Sequence, residues 1–208
     1  GISTRGHGFF NLDVFAKDIK QLIQKLNFKH VVLCGVSMGG YIALHAYSLC
    51  TNYIKGMILC DTHHKADDNL AKKNRFDSIQ AVLSYGRRPF AIGFVDKLFS
   101  KYTIQNNPDA VELIKSSIRR NSIESICATQ LALASRLDST AMLSSIDVPT
   151  LLIRGVEDKI TSKEIMLEMK AGIKNAKYEE IVNAGHLPNL ENPLEFNRLL
   201  SIYLDEIS

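Results

Sequence analysis

The six residues Gly35-Val36-Ser37-Met38-Gly39-Gly40 set a serine between glycines in the pattern G-x-S-x-G. They follow a β-branched run and open an apolar helical stretch, the context in which a serine is held on a strained turn. Glycines on either side let the backbone pass close by, so the hydroxyl would project from the end of a strand. A serine hydroxyl is a poor nucleophile until a base takes its proton, and that base must be oriented by a carboxylate. Ser37 at a helix start would also lie beside free backbone N–H groups that favour negative charge. The amide of Met38 is the candidate donor to a developing oxyanion.

Six histidines compete for the role of base. His186, in Asn183-Ala-Gly-His-Leu-Pro, follows a strand-like segment and would emerge at its C-terminal end. His45 falls on the helix after the serine and reads as a packing residue, and His30 as a strand-entry residue. His63 and His64 read as solvated loop residues that could line a pocket, and His7, between two glycines, as part of a tight turn. For the acid, Asp158 in Arg154-Gly-Val-Glu-Asp-Lys-Ile-Thr leads, with Glu157 beside it as a solvated loop charge. Asp61, which ends a strand, is the third contender; Asp138 and Asp147 read as caps or turns.

These groups need a sheet to bring them together. The spacing of Leu12, Phe15, Ile19, Leu22, Ile23 and Leu26 predicts a helix with Asn11 as N-cap. His30 to Gly35 has no alternation, as in a strand buried on both faces. A helix from Met38 to about Cys50 and a strand from Ile54 to Asp61 complete a parallel strand-helix-strand unit. Between Thr62 and Leu143 strand signals stop, and several amphipathic helices punctuated by Gly86, Pro89, Gly93 and Pro108 suggest a cap. Pro149 to Gly155, Ser162 to Ile173, Lys177 to Val182 and Pro193 to about Leu204 then read as strand, helix, strand and helix.

With 46% hydrophobic and 23% charged residues, the 208-residue chain has the balance of a globular domain. Its net charge of +3 is dispersed, which argues against a nucleic-acid stripe or a polybasic membrane patch. The uncharged stretch from Val31 to Tyr47 is broken by Gly35, Gly39 and Gly40, so a membrane span is not expected. Cys34, Cys50, Cys60 and Cys127 lie far apart in mostly apolar runs, which suggests buried thiols, a reducing cytoplasmic setting and no zinc site.

Four segments together carry a family likeness: Ser3-Thr-Arg-Gly-His-Gly8, the Ser37 motif, the strand from Pro149 to Asp158, and Asn183-Ala-Gly-His-Leu-Pro-Asn-Leu-Glu-Asn-Pro193. In this order they resemble the α/β-hydrolases. The resemblance implies an α/β fold: a mostly parallel sheet flanked by helices, with core segments 1–61 and 144–208 and a helical cap at 62–143. It implies a triad of Ser37, Asp158 and His186, and no cofactor or metal. Cys60-Asp-Thr-His-His-Lys-Ala-Asp-Asp68 and Arg136-Leu-Asp-Ser-Thr140 look like the 3-oxoadipate enol-lactonase and small-esterase branch.

Phe10 or Phe9 stands where the family has a small polar residue after the RGHG turn, which would reshape the pocket rim. Family members also carry earlier strands and a loop that supplies the second oxyanion donor. The expectation is therefore a fragment lacking its N-terminal strands, or a chain completed by an N-terminal segment or a dimer partner. One such donor is worth about 3 kcal/mol. The expected activity is hydrolysis of a small ester or lactone in an apolar pocket under the cap. Arg119, Arg120 or Arg136 could hold a substrate carboxylate, although all three read first as surface arginines. The competing readings are a non-catalytic ligand-binding protein of the same fold, and perhydrolase or haloperoxidase chemistry on the same triad.

Overall fold

Four strands form a parallel sheet in chain order: β1 (Val31–Val36), β2 (Ile54–Cys60), β3 (Thr150–Gly155) and β4 (Ala176–Ile181). The computed structural model describes residues 8–208. The segment Ser3 to His7 of the RGHG turn, with the reading of His7, lies outside the described residues. Because all strands run the same way, their C-terminal ends share one edge, and side chains that follow each strand can meet there.

Helices cover both faces. Along β2, Met57 and Leu59 point to one side and pack with α1 (Leu12–Lys25), α2 (Met38–Cys50) and α8 (Lys163–Gly172), through Ile23, Leu44 and Met166 among others. Ile58 and Cys60 point to the other side, against Phe196, Leu199 and Tyr203 of α10 (Pro193–Glu206). This alternation of two apolar sets explains the continuous hydrophobic run of a strand buried on both faces. β1 departs from that expectation. Among the described residues it is an edge strand, paired only with β2, and most of it is half-buried. For the same reason Cys34 is exposed, whereas Cys50, Cys60 and Cys127 are buried.

Between β2 and β3 the chain forms α3 (Asn69–Tyr85), α4 (Arg87–Leu98), α5 (Lys101–Asn106), α6 (Pro108–Arg120) and α7 (Ile123–Ala134). Asp68, Ser100, Asn107 and Ser122 cap four of these by accepting an amide three residues on. Gly86, at φ +82°, breaks α3 from α4, and Pro108 opens α6. Pro89 and Gly93 do not punctuate: Pro89 sits in the first turn of α4, where its missing N–H costs nothing, and Gly93 is tolerated in mid-helix. Asn11 stands at the N-cap of α1, but its side chain makes no capping bond. A four-residue helix, α9 (Pro188–Glu191), precedes α10. No described helix is long and apolar enough to cross a membrane.

Candidate active site

Three of the four strands end in a residue forced into the left-handed region: Ser37 (φ +53°) after β1, Asp61 (φ +44°) after β2, and Asn183 (φ +58°) just beyond β4. Such backbone is costly for residues other than glycine and persists only where the surroundings over-determine it. At Ser37 they do. Its N–H donates to the Cys60 carbonyl (2.8 Å), and its own carbonyl accepts from the Thr62 hydroxyl (2.8 Å) and the Gly40 amide (2.9 Å). A Cβ on Gly35 would lie 2.3 Å from the Gly39 backbone, so a glycine is required there for the turn to close. Met38 is the first residue of α2, where an amide has no partner within the helix.

The loops after β3 and β4 are interlocked. Val156 N–H donates to Ile181 and Glu157 N–H to Ala184, and a Cβ on Gly155 would lie 1.9 Å from the Gly185 carbonyl oxygen. These loops bring Asp158 and His186 together: His186 Nδ1 lies 2.9 Å from Asp158 Oδ2, with both side chains almost wholly buried. The carboxylate can only accept, so Nδ1 carries the proton of this bond. Burial pushes the Asp158 carboxyl up, but the His186 bond and charge and the Ile160 amide (2.8 Å) outweigh it and hold it below the usual range.

Ser37 and His186 line one cavity of about 410 Å³, together with Met38, Tyr41 and Ile160. Its far wall comes from the inserted helices: Phe90 and Phe94 of α4, Ile118 of α6, and Ile126, Thr129, Gln130 and Leu133 of α7. That wall is mostly apolar, with a few polar groups able to orient a ligand. The cavity is walled by the sheet edge on one side and the insertion on the other.

The remaining candidates sort clearly. Glu157 is half-buried and accepts from the Lys101 amide (3.2 Å). Asp138 caps a turn at Thr140, and Asp147 accepts from Tyr47 (2.7 Å). His45 pairs with Asp13 at 2.6 Å, a polar role that reading it as a packing residue did not foresee. The solvated reading of His63 and His64 fails: His64 is 3% exposed, and burial followed by the Arg136 charge pushes His63 down to about 4. Arg119 and Arg120 stay on the surface, bonded to Glu112 and Ser116, whereas Arg136 does not. Its guanidinium lies in the interior, 2.5 Å from Asp67, 3.2 Å from His63 and 4.4 Å from the Tyr41 ring centroid.

Asp67 also binds Arg75 (3.1 Å), which reaches the cavity wall. Removing one partner of a buried pair strands the other charge. Asp67→Ala is therefore expected to lower unfolding stability by about 3 kcal/mol, measurable by urea denaturation. The sequence reading missed this pair and one further carboxylate. Buried Glu191 accepts the amides of Ser100 (2.7 Å), Gly185 (2.8 Å) and Leu187 (3.1 Å), clamping the backbone around His186. Its sequence signal is its place five residues after the histidine, within the Asn183 to Pro193 segment that carries the family likeness.

A model of the alpha/beta hydrolase fold matches residues 1–193. The chain belongs to the alpha/beta hydrolase fold family. Among curated relatives, this alpha/beta hydrolase is 27% identical over 205 residues to 3-oxoadipate enol-lactonase 2 of Acinetobacter baylyi, covering 93% of the chain and 73% of the relative. It is 27% identical over 213 residues to a putative non-heme chloroperoxidase of Synechocystis sp., covering 98% of the chain and 77% of the relative. Among solved structures, it superposes on a thermophilic esterase from Thermogutta terrifontis with a TM-score of 0.94 at 31% identity, covering 100% of the chain and 76% of that structure.

Proposed function

We propose that the chain is a serine hydrolase that cleaves a small carboxylic ester or lactone, with Ser37 as nucleophile, His186 as general base and Asp158 orienting the imidazole. The observation that carries this reading is the buried His186–Asp158 contact of 2.9 Å beside a cavity that Ser37 also lines. His186 Nε2 takes the Ser37 proton as Oγ attacks the carbonyl carbon, and the tetrahedral oxyanion accepts from the Met38 amide. Collapse breaks the ester bond, and the leaving oxygen takes the proton from Nε2. Water, deprotonated by the same nitrogen, then releases the acid and restores the Ser37 hydroxyl.

The substrate class rests on the enol-lactonase and esterase names of the relatives and on the cavity's apolar wall. The helices of segment 62–143 serve as the cap that sets which acyl group fits. A fluorophosphonate probe tests the reading. Labelling of the protein that disappears in Ser37→Ala is the expected result, and a folded protein that never labels would end it. The chloroperoxidase-named relative favours a second chemistry on the same residues, perhydrolysis, which peroxide-dependent halide oxidation would reveal.

A further inference from the structure

Asp61 presents a problem that the triad alone does not solve. Its side chain is fully buried, its Oδ1 accepts the Gly155 amide (2.9 Å), and its Oδ2 has no hydrogen-bond donor among the described residues. A carboxylate oxygen of Asp61, one of Asp158 and a ring nitrogen of His186 all lie within 4.8 Å of one another. Nor can Asp61 turn away. Its N–H is bound to Ile153, its carbonyl accepts from the Thr161 hydroxyl (3.0 Å), and its backbone is held at φ +44°.

Two carboxylates within 4.8 Å of each other in a buried site strongly disfavour ionising together. The donors around them decide which keeps the proton. Asp158 receives the imidazole N–H and the Ile160 amide, two bonds that favour its charge, whereas Asp61 receives one. Arg154 is the nearby cation, but its Nε and Nη2 are engaged by the Thr161 and Asp158 carbonyls. Cys60 is the other titratable neighbour, a buried thiol raised by Cys34 and by burial. We infer that Asp61 is a protonated carboxylic acid whose Oδ2–H donates to Asp158, making it a positioning residue that holds the Asp158 carboxylate toward His186.

Burial, followed by the Asp158 charge, pushes the Asp61 carboxyl well above the ordinary carboxylate range, which agrees with this reading. The assignment excludes Asp61 as an alternative acid of the triad. It rests on the proposed roles of His186 and Asp158.

Asparagine can replace a neutral acid here, because it keeps an acceptor for Gly155 and a donor for Asp158 and tolerates a positive φ. Asp61→Asn is expected to retain at least about a third of kcat, with the acid limb of the kcat/KM profile in place. Asp61→Ala removes a hydrogen bond to a charged group and should lose roughly ten- to a hundredfold in kcat at similar KM. If Asp61 were ionised, the asparagine would instead remove a negative charge beside the imidazole and move the acid limb by about one unit or more to lower pH. That shift would overturn the inference, as would a folded Asp61→Ala enzyme of wild-type kcat.

Infrared difference spectra of wild type and Asp61→Asn at pH 8 supply a readout that needs no substrate. A protonated-carboxyl C=O band present only in the wild type is expected, and its absence sinks the idea. Because that band is independent of turnover, it stands or falls separately from the hydrolase reading, which Ser37→Ala labelling decides.

Discussion

His186→Ala is expected to lower kcat on a small aryl ester by about a millionfold, leaving only the residual rate due to binding and the oxyanion donor. The loss is that large because, in the proposed mechanism, the imidazole acts in both halves of the cycle, removing the serine proton during attack and the water proton during release. KM should change little, since the ring forms only part of the rim of a cavity whose wall is otherwise apolar. Stopped-flow acylation with an activated ester checks the assignment: a burst of product that survives the substitution would remove His186 from the acylation step. Protein stability provides a control, because the His186 backbone stays anchored to Leu98 (2.7 Å) whatever its side chain.

Asp158→Asn should cost about ten-thousandfold in kcat while leaving the fold and cavity intact. The amide would meet His186 Nδ1 with a donor or a weaker acceptor, and the ring would turn its protonated nitrogen toward Ser37. The same substitution at Asp61 should be mild, so the pair of asparagine variants distinguishes an ionised orienting acid from a neutral neighbour. A large loss at residue 61 and a small one at residue 158 would reverse the roles. There is also a stability consequence with a fixed sign. The Asp158 pKa lies below its ordinary value of 3.8, so its contribution is present above that pH and lost as pH falls through the folded-state value. Urea titrations of the asparagine variant should lack that acid-side loss.

The centre of the sheet was legible because β2 and β3, buried on both faces, leave short apolar runs, whereas the edge strand β4 carries Lys177, Glu179 and Glu180. β2, β3 and β4 lie within two residues of the segments read from composition. The glycine-flanked serine was legible for a steric reason that holds at residues 35 and 40, where a Cβ would collide with Gly39 or Thr62, but not at Gly39, where a Cβ would meet nothing within 4 Å. His186 and Asp158 could be nominated because each follows a strand, and chain order then reduced the choice. Side-chain environment inside the insertion was not legible. Nothing in the one-dimensional pattern tells that Arg136 turns inward onto Asp67, or that His64 is covered, because those depend on which faces of α3 and α7 meet.

Glu191 joins two regions: the Ser100 amide at the α4–α5 corner and the Gly185 and Leu187 amides around the histidine. With the His186–Leu98 bond, this fastens one corner of the insertion to the same loop that carries the imidazole. A wholesale swing of the five helices would therefore drag the loop that carries His186 with it.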